Sequence, residues 1–209
     1  MTDSAKLDHI VVASADLDEG VAWVEQRLGL ALPAAGGKHP LMGTHNRLMR
    51  LGEASFLEVI APDPDAEAPT HPRWFGLDHP PATPRLAHWL VRWPGLTRQA
   101  IPGVNGPAIR QRRGDLSWLI TVPEDGTLPH GGAFPSFLDW EMAEEAIPPR
   151  AMPSLGFDLT ALRVTHPEAP RLAETLAPVL QDPRVSWRTG AEVALSATLA
   201  GPTGDCILD

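Results

Sequence analysis

The chain has 209 residues, of which 43% are hydrophobic and 21% are charged, a composition typical of a globular protein. Asp and Glu number 26 against 17 Lys and Arg, and the resulting net charge of −9 argues against nucleic acid or anionic membranes as partners. The single cysteine excludes an internal disulfide. The first residues lack the pattern of a signal peptide, and no uncharged run is long enough to span a bilayer, so we expect a cytoplasmic protein.

The sequence repeats one order of secondary-structure elements three times, and each repeat is called a pass. The first pass comprises a strand at 7–13, a helix at 16–28 and strands at 39–42, 44–51 and 54–61. Asp16 is suited to cap the N-terminus of the helix with Glu19 three residues later, and Gly29 follows its end. Gly52-Glu53 separates two apolar runs, as in a hairpin turn. The sequence therefore predicts a βαβββ module.

The same order of elements recurs twice more along the chain, each time less regularly. The second pass has a strand at 86–93, a short helix at 95–101, a hairpin at 108–113 and 117–123 and a strand at 134–141. The third has a strand at 159–165, a helix at 168–180 and strands at 185–188, 193–200 and 205–208. Pro178 is expected to end or bend the last helix. We predict an α+β fold of βαβββ modules at 1–62, 85–142 and 157–209, with packed connectors at 63–84 and 143–156.

Histidine and acid are duplicated together in the first two modules. His9 and His88 lie 79 residues apart on the opening strands, and Glu58 and Asp139 lie 81 residues apart on the closing strands. The third module has Ala161 where the histidine would be, so we expect no metal there and a role in lengthening the sheet or in a subunit contact.

Glu58 is the one acid within an otherwise apolar strand. Burying an unpaired carboxylate costs several kcal/mol or more, roughly, unless it is protonated, paired or bound to a cation. Alternation predicts that His9 shares a face with Leu7 and Val11. If the first two modules curl into one half-open barrel, two imidazoles and two carboxylates meet inside it. Such a set suits Zn, Fe(II), Ni, Co or Mn.

Several motifs resemble the glyoxalase-like domain group of the vicinal-oxygen-chelate superfamily. They are LDHIVV at 7–12, GTHNRL at 43–48, FLEVIAP at 56–62, PRWFGLD at 72–78 and FLDW at 137–140. The resemblance implies a half-open barrel of paired modules and a divalent metal. The residues that fall on its ligand positions are His9, Glu58, His88 and Asp139. It implies no single reaction, because the superfamily includes lyases, isomerases, dioxygenases and metal-free binding proteins.

Glu58 and Asp139 are the predicted catalytic residues. Asp139 is one methylene shorter than the glutamate usual at the fourth position, so it reaches a metal through water or acts as a base. Glu141, two residues later, is the alternative acid. A carboxylate that does not hold the metal would transfer the proton.

Substrate contacts are expected from His45 and Asn46 at the mouth of the barrel and from stacking on Trp74 and Trp118. Residues 110–113 (RQRR) form either a solvated edge of the sheet or a clamp for an anionic substrate.

The leading expectation is a metalloenzyme that chelates two oxygens of a small oxygenated metabolite and stabilises an oxyanion. The alternative is a metal-free protein that binds or sequesters a small molecule in the same cup. A third reading is a structural dimerisation module with a vestigial cup. We expect a homodimer in each case.

Overall fold

The computed structural model describes residues 4–98, 105–114 and 116–209. The first module contains β1 (Lys6–Ala13), α1 (Leu17–Leu28), β2 (Gly36–His39), β3 (Thr44–Leu51) and β4 (Ser55–Pro62). The second contains β5 (Arg85–Arg92), a short 3-10 helix (Leu96–Arg98), β6 (Ala108–Arg113), β7 (Leu116–Thr121) and β8 (Ser136–Asp139). The rest of the helix predicted at 95–101 lies outside the described residues.

These strands form one eight-stranded sheet in the order β2-β3-β4-β1-β5-β8-β7-β6. The opening strands β1 and β5 pair antiparallel at the centre, and each pairs in parallel with the closing strand of its own module. The two halves of the order therefore mirror one another. This confirms the predicted pairing of two βαβββ modules into a half-open barrel, whose open seam lies between β2 and β6.

Helix α1 begins and ends where the sequence predicts. The Asp16 carboxylate accepts a hydrogen bond from the Glu19 backbone N–H at 3.0 Å, which satisfies one of the free donors of the first turn. Gly29 follows the helix with φ of 69°, a left-handed conformation that glycine adopts without a Cβ clash. No helix in the described ranges is long and apolar enough to cross a bilayer.

The third module keeps the predicted order of elements but pairs them differently. Its elements are β9 (Asp158–His166), α3 (Ala169–Leu176), β10 (Val185–Thr189), β11 (Ala194–Gly201) and β12 (Gly204–Leu208). They form a second sheet in the order β10-β9-β11-β12, with β9 parallel to β10. The module therefore does not lengthen the first sheet, contrary to one of our two expectations. Helix α3 ends two residues before Pro178, as proline requires.

The second sheet packs on the convex face of the barrel. Leu162 and Val164 of β9 share one apolar cluster with Ile10 and Trp89 of the barrel. Polar contacts add to this packing, because the Arg184 guanidinium donates to Ser55 Oγ at 3.0 Å. A four-residue helix, α2 (Pro148–Ala151), lies in the connector before this module. A second apolar cluster fills the concave face of the barrel.

Strand β1 departs from simple alternation at Asp8. A register shift in its pairing with β5 falls between Leu7 and His9. Leu7 therefore packs in the outer cluster while Val11 packs in the inner one. The expectation that His9 shares a face with both is correct for Val11 and wrong for Leu7, because a bulge turns the strand between them.

Candidate active site

His9 and Glu58 meet inside the barrel. His9 Nε2 lies 3.4 Å from Glu58 Oε2, and the two side chains are each only 7% exposed. They come from neighbouring parallel strands, with Val11 of β1 opposite Glu58 of β4. The imidazole stacks on Phe56, with ring centroids 4.2 Å apart. This pairing explains how an acid is accommodated in the apolar strand β4, because the Glu58 carboxylate faces the imidazole of His9.

Asp8 holds the outer nitrogen of this imidazole. Its side chain is fully buried, and Oδ1 lies 2.7 Å from His9 Nδ1. Its second oxygen, Oδ2, accepts from Trp140 Nε1 at 3.1 Å and from Arg92 Nη1 at 3.3 Å. Both carboxylate oxygens are thus satisfied, and the imidazole orientation is fixed from behind.

Opposite charges determine the protonation of the central pair. Burial alone would lower the pKa of His9, but hydrogen bonds and charges from Asp8 and Glu58 outweigh it and raise the pKa to about 9. Burial alone would raise the pKa of Glu58, but the hydrogen bond and charge of His9 lower it to about 2. At neutral pH the pair is therefore imidazolium and carboxylate.

Asn46 continues the hydrogen-bond chain toward the open seam of the barrel. Its Nδ2 donates to Glu58 Oε1 at 2.6 Å. Its Oδ1 accepts from the Gly37 backbone N–H and from Arg113 Nη1, each at 2.9 Å. His39 lies beside it and is neutral, because burial lowers the pKa of His39 to about 4.

Aromatic side chains enclose the pair in a cavity of about 30 Å³. Apolar lining side chains are Leu48, Phe56, Trp74, Phe75, Leu90, Trp118, Ile120, Leu138 and Trp140. Trp74 Nε1 donates to Thr44 Oγ1 at 3.1 Å, which anchors that ring. A volume of this size admits about one water. A larger molecule therefore enters by displacing lining side chains.

Asp139 is directed to a different place. Its carboxylate accepts backbone N–H groups of Gly95 at 2.7 Å, Leu96 at 3.2 Å and Glu141 at 3.0 Å. It lines a larger cavity of about 670 Å³ and is absent from the lining of the cavity around Glu58. Glu141 also lines the larger cavity and forms an ion pair with Arg110.

His88 is fully buried against β8. Its Nε2 lies 3.0 Å from Ser136 Oγ, and its Nδ1 has no hydrogen-bond partner among the described residues. Its ring contacts Phe75, with centroids 5.2 Å apart. Burial lowers the pKa of His88 to about 3, so the imidazole is neutral.

The four predicted metal ligands do not converge as the structure places them. His9 and Glu58 face each other, whereas His88 and Asp139 contact other groups. Within the described ranges, no group of three or more His, Cys, Asp or Glu side chains is arranged to hold a metal ion. The described residues therefore show no assembled four-ligand centre, and the role of each of the four as a ligand stays a prediction.

The predicted substrate contacts divide in the same way. Asn46, Trp74 and Trp118 line the cavity around Glu58, whereas His45 is not part of its lining. His45 follows Thr44 and precedes Asn46 on β3, so alternation directs it away from the face that Asn46 occupies.

Sequence reasoning missed Asp8, His39 and Trp140 as parts of this site. The signal for Asp8 was its place beside His9, but alternation assigns neighbouring residues to opposite faces. Arg113 was included only within the run at 110–113, with its role left open.

Two paired βαβββ modules form a half-open barrel around the buried His9–Glu58 pair, and this is the architecture expected of a glyoxalase-like domain. The chain belongs to the glyoxalase-like domain family, whose model matches residues 7–180. This confirms the resemblance found from sequence motifs.

Among the solved structures similar to this chain, one with a TM-score above 0.5 supports the fold. A hypothetical protein from Staphylococcus aureus aligns with a TM-score of 0.59 and 12% identity, over 90% of this chain and 88% of that one. Methylmalonyl-CoA epimerase from Mycobacterium tuberculosis aligns with a TM-score of 0.43 and 20% identity, over 68% of this chain and 92% of that one. No match was found among curated proteins.

Proposed function

We propose that the chain is an enzyme that transfers a proton on a small oxygenated molecule, with Glu58 as proton acceptor and His9 as its cationic partner. A single observation carries this proposal: the His9–Glu58 pair lies buried against a cavity, with 3.4 Å between Nε2 and Oε2. Buried ion pairs contribute little net stability, so a pair placed against a cavity favours a functional role.

The surrounding side chains support a division of roles. The imidazolium of His9 can donate Nε2–H to an oxygen on which negative charge develops, since Asp8 already accepts at Nδ1. Glu58 is held at Oε1 by Asn46, and its Oε2 can accept a proton once a substrate oxygen replaces it as the partner of His9 Nε2–H. Trp74 and Trp118 supply apolar walls that exclude water from this exchange.

Glu58→Gln should abolish this chemistry while keeping the shape of the cavity. We expect wild-type protein in D₂O to exchange a carbon-bound proton in a panel of small 2-hydroxy acids, 2-oxo acids and diketones, followed by proton NMR. The variant should lose about 100-fold or more of that rate, the range for removal of a general base.

The matched control is Glu53→Gln on the turn of the same hairpin. Glu53 is 76% exposed and pairs with Arg50 and Arg150 outside the cavity, so the exchange rate of Glu53→Gln should equal that of the wild type. Exchange that survives in Glu58→Gln, or its absence across the whole panel in the wild type, would contradict the proposal.

The divalent metal, whether Zn, Ni, Co, Mn or Fe(II), remains a prediction. Among the four predicted ligands, the described structure records a close contact between His9 and Glu58, and a protonated imidazole does not coordinate a metal. To hold a metal, His9 would have to lose its proton, so any metal affinity should rise with pH toward about 9. Elemental analysis and a zinc titration at several pH values, repeated with His9→Ala, measure this. Stoichiometric metal that persists in His9→Ala would refute His9 as a ligand.

Metal-free binding is the second candidate function. The cavity wall favours it, because nine of its side chains are aromatic or aliphatic, and such walls hold apolar ligands by burial. Ligand-dependent quenching of tryptophan fluorescence without any proton exchange would support this function instead.

The homodimer also stays a prediction, and light scattering after gel filtration measures the oligomeric state.

A further inference from the structure

Arg113 is the one basic side chain on β6 that lines the cavity around Glu58. Strand β6 is an edge of the sheet, and Arg113 reaches across the seam to β2 and β3. On the same strand, Arg110 forms an ion pair with Glu141 and Arg112 is exposed to solvent. The run at 110–113 therefore contributes one guanidinium to the site and leaves two outside it.

Arg113 forms no ion pair with a carboxylate in the part of the chain that the structure describes, although the charge of Glu58 acts on it across the cavity. Its described hydrogen bond runs from Nη1 to the neutral amide oxygen of Asn46, at 2.9 Å. Behind the cavity, Asp8 pairs with both His9 and Arg92. His9, Arg113 and Glu58 are the charged side chains that line the cavity itself, so its wall carries one more positive charge than negative.

Gly37 leaves the space that the Arg113 side chain occupies. A Cβ at residue 37 would lie 2.9 Å from Arg113 Cδ, closer than real contacts allow. The backbone of Gly37 also donates to Asn46 Oδ1, the oxygen that Arg113 contacts. The seam is therefore shaped to direct one guanidinium toward the end of the Asn46–Glu58 chain.

We infer that Arg113 binds a carboxylate group of the substrate, which makes the substrate a small organic acid. This rests on the proposed function of the same cavity. A guanidinium presents five donors in a planar fork that matches a carboxylate, and only one of them serves Asn46 in the described structure. Asn46 connects this bound group to Glu58, so the reacting carbon would lie between the two.

The test compares acids with uncharged analogues by tryptophan fluorescence, because Trp74, Trp118 and Trp140 line the cavity. The probes are acetate, lactate, pyruvate and benzoate, with lactamide and benzamide as neutral counterparts. Wild type should bind lactate and benzoate at least about tenfold more tightly than their amides, the scale of a charge-assisted hydrogen bond.

Arg113→Gln should abolish this preference, whereas Arg112→Gln on the same strand should keep it. Gly37→Ala should also weaken it, since the added methyl displaces Arg113 without changing any charge. Circular dichroism and thermal melts verify that each variant is folded. Equal preference in wild type and Arg113→Gln, equal loss in Arg112→Gln, or no binding of any of the four acids to wild type would overturn the inference.

Different results would contradict the proton-transfer proposal and the carboxylate-site proposal. Glu58→Gln removes a negative charge from the cavity, so acids should bind to it at least as tightly as to wild type while proton exchange is lost. Proton exchange that depends on Glu58 but not on Arg113 would support the proton-transfer proposal and refute the carboxylate site. Acid binding that depends on Arg113 without any proton exchange would support the carboxylate site and refute the proton-transfer proposal.

Discussion

Asp8→Ala should lower the free energy of unfolding by about 3–5 kcal/mol, the cost of removing one partner from a buried charge network. Asp8 is fully buried and receives three side-chain contacts. Without it, the imidazolium of His9 loses its partner at Nδ1 and Trp140 Nε1 loses its acceptor. Urea unfolding followed by circular dichroism at pH 7 measures the difference.

Two further variants separate the buried network from a general effect of lost charge. Asp8→Asn keeps the size and one acceptor oxygen, so its loss should lie between those of wild type and Asp8→Ala. Glu168→Ala breaks an ion pair with Arg171 whose side chains are both more than half exposed, and it should cost at most about 1 kcal/mol. A loss in Asp8→Ala no larger than that in Glu168→Ala would refute the role assigned to Asp8.

Asp8 is also a residue whose position in the fold could not be predicted from the sequence. The boundaries of α1 follow from local chemistry, and the apolar periodicity and repeated order of elements predict the paired modules. A bulge in β1 depends on pairing with β5, about 80 residues later in the chain, and it leaves no local signal. Asp8 therefore occupies the buried side of His9 although alternation assigns it to the opposite face.

The acids of the closing strands show that the contacts of a site residue are equally hard to predict from the sequence. Glu58 and Asp139 occupy equivalent places in the two repeats, and their sequence contexts are alike. Glu58 lies in the middle of β4 and faces a histidine, whereas Asp139 is the last residue of the shorter strand β8 and accepts backbone N–H groups of the segment after β5. Equivalence in a repeat predicts the strand position, and the neighbouring loop determines where the carboxylate points.

The second large effect is a maximum of stability near pH 6.5, because buried histidines titrate in opposite directions. The pKa of His9 is raised to about 9, so the stability it contributes is present below pH 6.5 and is lost as pH rises toward 9. The pKa values of His39 and His88 are lowered to about 4 and about 3. Their contribution is present above pH 6.5 and is lost as pH falls toward those values.

Each of the three groups changes the free energy of unfolding by about 1.4 kcal/mol per pH unit within its own window. Glu58 adds no slope between pH 4.5 and 6.5, because its pKa is lowered to about 2 and its contribution is lost only below 4.5. The buried His39 and His88 titrate on the acid side, where the pKa of the partly exposed His130 is also lowered by burial, and His9 titrates on the alkaline side, so the acid limb should be about twice as steep or steeper. Urea unfolding from pH 4 to 9 in EDTA measures both limbs.

Removing one imidazole at a time assigns the limbs. His88→Asn should make the acid limb shallower, by about 1.4 kcal/mol per pH unit, because one of the buried histidines that are protonated there is removed. His9→Gln should flatten the alkaline limb and leave the acid one in place. His79→Gln changes an exposed histidine and should alter neither. A profile that rises steadily from pH 6.5 to 9 in the wild type would mean that His9 is not held as a cation, and the ion pair with Glu58 would then be lost as the basis of the proposed proton transfer.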